Sequence, residues 1–300
     1  MPTTAADPAA GREAGELLLR LVRWLEYWLP PEPPTDWSAQ AYQWRKRRAL
    51  GTEHAALVAV HRVARIEAGD LLGVERQKEA LLRNTEQFVR ALPANNVLLT
   101  GARGTGKSSL VRACLARFAA DGLRLIEVDK DDLVDLPRIA DLVAGRPERF
   151  VVFCDDLSFE PSESSYKALK AALDGSVAAG AANLLIYATS NRRHLMPESM
   201  RENLAAEYDA QGDLHPGETS EEKVSLSERF GLWLSFHSFR QDEYLQIVGH
   251  WLARFELDAA AIEQARGEAL QFALQRGSRS GRVAAQFARD YAGRRGLSGA

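Results

Sequence analysis

Apolar and polar positions follow two rhythms along this chain, and the change from one to the other divides it. Between residues 70 and 200 the apolar runs NNVLLTG, LRLIEVD, RFVVFCDD and NLLIYATSN alternate with KSSLVRACLARFAA, DLVDLPRIADLVAG and SYKALKAALDG. Short apolar runs bounded by turn residues read as buried strands, and the longer segments with a 3.6-residue period read as helices. Strands that alternate with helices predict a parallel sheet covered on both faces. A polar, acidic stretch over residues 202 to 223 follows, and LWLSF (232 to 236) then supplies a fifth strand. From about Arg240 only helical periodicity remains. The predicted fold class is α/β, with a five-stranded parallel sheet.

The N-terminal pattern differs. LLLRLVRWLEYWL (17 to 29) is helical, with Glu16, Arg20, Arg23 and Glu26 on one polar stripe, and is expected to pack on the main body. It ends in LPPEPPTD, whose prolines cannot continue a helix. Trp37 to about Arg65 also reads as helical and contains the basic run RKRR (45 to 48), ordinarily a solvated helix face and alternatively a phosphate-binding patch.

The chemistry begins at GARGTGKSSL, which follows one predicted strand and opens a helix. Gly101, Gly106, Lys107 and Ser108 satisfy the P-loop spacing, in which glycines let backbone amides wrap a phosphate at a helix N-terminus. Residues Gly101, Ala102, Arg103, Gly104, Thr105, Gly106, Lys107, Ser108 and Ser109 are the expected phosphate-binding loop. Lys107 would reach the β and γ phosphates, and Ser108 would ligate Mg²⁺. RFVVFCDD ends a strand in Asp155 and Asp156, suited respectively to holding the metal and to polarising an attacking water. NLLIYATSN ends in Asn191, which would reach the γ-phosphate if its strand lay between the other two. Arg229, in SLSERFG, is a planar cation suited to phosphate in a neighbouring subunit. Finally, RGSRSGRVAAQFARDY opens an amphipathic helix, with Arg282 the first choice and Arg279 the second for a phosphate-facing residue.

These five motifs in this order resemble the AAA+ superfamily over roughly residues 70 to 295. GARGTGKS resembles its Walker A loop, VVFCDD its Walker B strand, YATSN its sensor 1, LSERFG its arginine-finger box and GSRSGR its sensor 2. LLGVERQKEALLRNT, with Leu72 and Gly73, resembles the segment that lies near adenine. The Asp-Asp ending and the ERFG box are closer to the replication-initiator and helicase-loader branch than to the protein unfoldases. The usual Walker B ending of the unfoldases is Asp-Glu, so the water-polarising carboxylate stays open between Asp156 and Glu160. Longer phrases, CDDLSFE, YKALKAALDGS and HPGETSEEKVSLSERFGLWLSF among them, are similar to a bacterial AAA+ family of ATP-binding proteins of unknown function. Periodicity predicts an N-terminal helical region (1 to 69), and the resemblance implies a nucleotide-binding domain (70 to 239) followed by a helical lid (240 to 300).

Composition narrows the partners. With 300 residues and a net charge of -3, the whole surface is not built for nucleic acid. RKRR and the arginines beyond residue 275 leave a local nucleic-acid contact open. Two cysteines, Cys114 and Cys154, fit a reducing cytoplasm rather than a disulfide framework. The segment 17 to 29 is too short and too charged to span a membrane, and the first residues lack a signal-peptide pattern. The expected function is that of an Mg²⁺-dependent ATPase, ATP and Mg²⁺ being its cofactors. It would form a homo-oligomer through Arg229 and remodel or load a macromolecular client. A non-cycling nucleotide switch is the alternative, and a P-loop kinase of a small substrate a more distant one.

Overall fold

In the computed structural model the four alternating runs and LWLSF form five parallel strands. They are β3 (Val97–Gly101), β4 (Leu123–Glu127), β5 (Arg149–Cys154), β6 (Leu184–Ser190) and β9 (Leu232–Phe236). The structure describes residues 16–22, 24, 35–49, 52–64, 66–159, 163–174, 181–192, 207–208, 214–215 and 226–298. Hydrogen bonding orders the parallel strands β4-β5-β6-β3-β9, so β6 lies between the strands of the two phosphate-site motifs. The helices are α1 (Glu75–Val89), α2 (Lys107–Phe118), α3 (Leu136–Val143), α4 (Ser164–Leu173), α5 (Gln241–Arg254), α6 (Ala259–Gln275) and α7 (Gly281–Ser298).

The sheet is wider than five strands. Residues expected to be helical form a hairpin, β1 (Ala41–Ala49) and β2 (Thr52–Val60), and β1 adds to β4 in parallel, giving seven strands in one sheet. Pairing overrides helix propensity here because Tyr42 and Trp44 both enter the core, at 1% and 3% exposure, two residues apart. Lys46 continues that face and is ion-paired to Asp132 and Asp135 at 3.1 and 2.9 Å, so RKRR is neither helical nor uniformly solvated. A two-stranded ribbon, β7 (Glu207–Tyr208) and β8 (Leu214–His215), falls within the acidic stretch; the rest of that stretch, like Glu160, lies outside the described residues.

The N-terminal expectation is half met. Residues 16–22 and 24 are helical, but Leu17, Leu18, Leu19, Leu21 and Trp24 are all exposed rather than packed on the body. Arg23 and Glu26 lie outside the described residues. Among those described, no helix is long and apolar enough to cross a membrane.

Period-two alternation divides the core between the two faces of the sheet. Val97 and Leu99 of β3, Val151 and Phe153 of β5 and Tyr187 of β6 share one cluster with Leu110 and Cys114 of α2 and with the C-terminal helices. Leu98, Phe150, Val152, Cys154 and Ile186 share the other with Ile139 of α3 and Leu169 of α4. Both cysteines are buried and free, and burial pushes each thiol up to about 12, which makes them packing residues. In the first layer the Tyr187 hydroxyl meets Asn84 Nδ2 at 3.1 Å and Thr85 Oγ1 at 2.9 Å. Tyr187→Phe would remove one bond from each of these buried partners, which keep Asn95 O and Leu81 O respectively. We expect it to cost about 1–2 kcal/mol in urea unfolding, with the slope unchanged.

Candidate nucleotide site

The strand alternation that divides the core also aims the site. Phe153 faces the α2 side of the sheet, so Asp155, two residues on and past the end of β5, is directed to the start of α2. There Ser108 Oγ donates to Asp155 Oδ1 at 2.6 Å. Thr189, two residues beyond Tyr187 on β6, lies on the same side, and its hydroxyl donates to the same carboxylate oxygen. The Asp156 amide in turn donates to Thr189 Oγ1 at 2.9 Å, and Asn191 Nδ2 donates to Asp156 Oδ1 at 2.6 Å. Asp156 adopts φ 55°, a left-handed conformation costly for a residue with a side chain, so the strand turns sharply just where its carboxylates are presented.

Lys107 is 6% exposed, and its ammonium donates to the carbonyls of Gly101 and Ala102, both at 2.8 Å, and to Asn191 Oδ1 at 3.0 Å. Burial holds its pKa below the ordinary lysine value, and the cationic Arg103 and Arg282 act in the same direction, against Asp155 and Asp156.

The loop itself has the form that an anion needs. Gly104 and Gly106 have φ 73° and 101°, and Gly106 caps α2. Ala102 N–H donates to Phe236 O and Leu110 N–H to Gly106 O. The amides of residues 103 to 109 find no acceptor among the described residues. A run of unpartnered amides at the N-terminus of a 12-residue helix is a phosphate cradle, and the triphosphate of ATP fits it. Hard oxygen donors from Ser108, Asp155 and Thr189 beside that cradle suit Mg²⁺.

The C-terminal helices close the cleft. At the opening of α7, Arg282 N–H donates to Gly104 O at 3.3 Å, and a Cβ on Gly104 would lie 2.8 Å from Ser280 Oγ. The resulting cleft of about 710 Å³ is lined by the polar residues Arg103 through Ser109, Asp155, Asp156, Asn191 and Arg282 and by the apolar Ile66, Leu71, Leu72, Ile247 and Trp251. Of the sequence-predicted residues, Gly101 and Ala102 anchor the loop from behind. Gly73, at φ 73°, packs against Phe239. Arg279 is not among the lining residues, which favours Arg282. Arg229 is not there either; it is ion-paired with Asp174 at the end of α4. Sequence reasoning missed Thr189, Asp70, Arg112 and Trp251 as contributors. Arg112 carried a usable signal, since it sits one turn after Ser108 on α2.

A P-loop after β3, a carboxylate after the neighbouring-but-one strand and a polar strand end between them, with the C-terminal helices against the cleft, have the form of a P-loop nucleotide site. A family model matches residues 38–295, and the chain belongs to that family, described as "Protein of unknown function (DUF815)". The chain is also similar in structure to the Thermotoga maritima RuvB Holliday junction branch migration motor. The identity is 17% and the TM-score 0.42, over 72% of this chain and 59% of that one. A chain of the E. coli MS115-1 HORMA:CdnC:Trip13 complex is similar at 14% identity with a TM-score of 0.44, over 76% of this chain and 93% of that one. This chain thus spans less than two thirds of the RuvB chain it matches. Comparison with curated protein sequences gives no match.

Proposed function

We propose that this protein is an Mg²⁺-dependent ATPase, acting in the cytoplasm, that assembles with copies of itself and couples ATP hydrolysis to work on a macromolecular client. The observation that carries the reading is the run of amides from residue 103 to 109 that find no acceptor among the described residues, beside the Ser108 and Asp155 pair. Lys107 would exchange its carbonyl and Asn191 acceptors for phosphate oxygens, and the loop amides would hold the remaining ones. Mg²⁺, held through Ser108 and Asp155, would supply charge neutralisation of the phosphates when bound. Asn191 and Asp156, already hydrogen-bonded to each other, would orient the attacking water, with Glu160 the alternative acceptor of its proton. Water adds to the γ-phosphorus as the bond to the β,γ-bridging oxygen breaks, and ADP, inorganic phosphate and a proton leave.

Arg229 would act on a neighbour. Its pairing with Asp174 keeps it outside the cleft of its own chain, and Asp174 is half exposed, so the cation can be transferred to a stronger anion. In this reading residues 70 to 239 form the nucleotide-binding unit, which the β1-β2 hairpin widens, and residues 240 to 300 form its lid. A nucleic-acid client draws less support than the charge runs suggested, since Lys46 is ion-paired and Arg294 is bonded to Asp290 and Glu268.

The test is the ATPase rate against protein concentration. The rate is expected to rise more steeply than linearly. Arg229→Ala is expected to lower it by roughly 10³- to 10⁵-fold, and mixing that variant with Lys107→Ala to restore part of it. A rate proportional to concentration and indifferent to Arg229 would overturn the shared site, and nucleotide binding without turnover would leave the switch.

A further inference from the structure

Beside the apolar residues of the cleft, Asp70, His250 and Arg254 form a hydrogen-bonded cluster that the phosphate chemistry does not use. Asp70 lies in a single helical turn (Ala68–Asp70) just ahead of α1, and its side chain is 6% exposed. Its Oδ1 meets Arg254 Nη1 at 2.5 Å and His250 Nε2 at 3.1 Å, and both partners come from α5, the first helix of the C-terminal segment. Among the described residues its other oxygen accepts only the Glu67 amide, at 3.3 Å. Asp70 and Trp251 both line the cleft, and Trp251 lies in α5 between the two residues that Asp70 holds.

We infer that Asp70 is a positioning residue: it clasps α5, and with it Trp251 and Ile247, over the apolar residues of the cleft, where the base would lie, and so governs how long nucleotide stays. This inference rests on the nucleotide reading above. If α5 moves away, a carboxylate buried beside Leu71 loses the Arg254 cation and the His250 hydrogen bond at once, and that penalty opposes opening. Arg254 is 48% exposed, so water recovers part of the loss on its side. The phosphate end has its own fastening, the contact of Arg282 with Gly104, so loss of the clasp frees the base side alone. A nucleotide held by its phosphates but uncovered at its base should leave faster without arriving slower.

The experiment is stopped-flow release of N-methylanthraniloyl-ADP from the full-length chain in the presence of Mg²⁺, for wild type, Asp70→Asn, Arg254→Gln and Arg254→Lys. Asp70→Asn and Arg254→Gln are expected to release the probe roughly tenfold to a hundredfold faster. Association should change less than about threefold, and Arg254→Lys should recover most of the retention. The double variant should be no faster than Asp70→Asn alone, because either change breaks one clasp. Release within about twofold of wild type in both single variants, or effects that multiply in the double variant, would overturn the clasp. Should Asp70→Asn fail to fold, the half-exposed Arg254 decides the matter alone. A wild-type chain that does not bind the probe would instead defeat the nucleotide reading itself.

Discussion

Lys107→Met is expected to lower the turnover of ATP by at least about 10²- to 10³-fold while leaving the folded chain no less stable than wild type. The two halves have one cause. The ammonium is buried at the mouth of the loop, and its pKa is depressed, burial being the main cause, with Arg103 and Arg282 adding to it. The charged form is thus less favourable in the folded chain than in the unfolded one, in spite of three hydrogen-bond acceptors. The sign of the pH dependence follows. Below its depressed folded value the lysine is charged in both states and its burial lowers stability. The penalty fades as pH rises from that value toward 10.5, the ordinary value, above which the lysine is neutral in both states. Methionine fills similar volume without the charge. Its advantage should be largest at about pH 7 and smaller at about pH 10, measured as urea midpoints. A variant that loses both activity and stability would show that Lys107 serves the fold, and would remove the argument that its charge is kept for a phosphate.

The phosphate loop is legible in the sequence because its chemistry is local. Glycines, Lys107 and Ser108 are contiguous, and each of the five parallel strands is a bounded apolar run. What a sequence does not supply is adjacency. That Asp155 receives both Ser108 and Thr189, or that Asp70 receives His250 and Arg254, depends on strand order and on a helix that returns roughly 180 residues later. No spacing rule connects them. The hairpin is hidden for a different reason. In AYQWRKRRA the inward face continues from Tyr42 and Trp44 to Lys46, whose partners Asp132 and Asp135 lie in a distant segment, so a polar residue stands where the alternation needs an apolar one. Its partner strand, TEHAALVAV, is rich in alanine, which favours helices when taken alone. The one local sign is Gly51 between the two runs, a residue suited to a hairpin loop. The N-terminal helix shows the converse: periodicity gives the helix, but not whether the body has a surface to receive it.

Gly101→Ala tests whether the first glycine of the loop serves phosphate or the sheet. Gly101 has φ 121°, and a Cβ placed on it would lie 1.9 Å from the carbonyl oxygen of Phe236, with which Gly101 is in register across β3 and β9. The obstacle is backbone, so no rotamer change relieves it. β9 would have to separate from β3 just where Ala102 N–H is bonded to Phe236 O, and the Gly101 and Ala102 carbonyls that hold Lys107 would shift with it. We expect a loss of more than about 4 kcal/mol in urea unfolding, or no folded protein at all. Gly122→Ala is the matched control. Gly122 also has positive φ, 92°, but a Cβ there meets nothing within 4 Å, so only the conformational cost applies, about 1–2 kcal/mol. The difference between the two substitutions measures the close approach of β9 separately from backbone strain. Equal losses would mean that β9 yields easily, and that the loop is not anchored through Phe236.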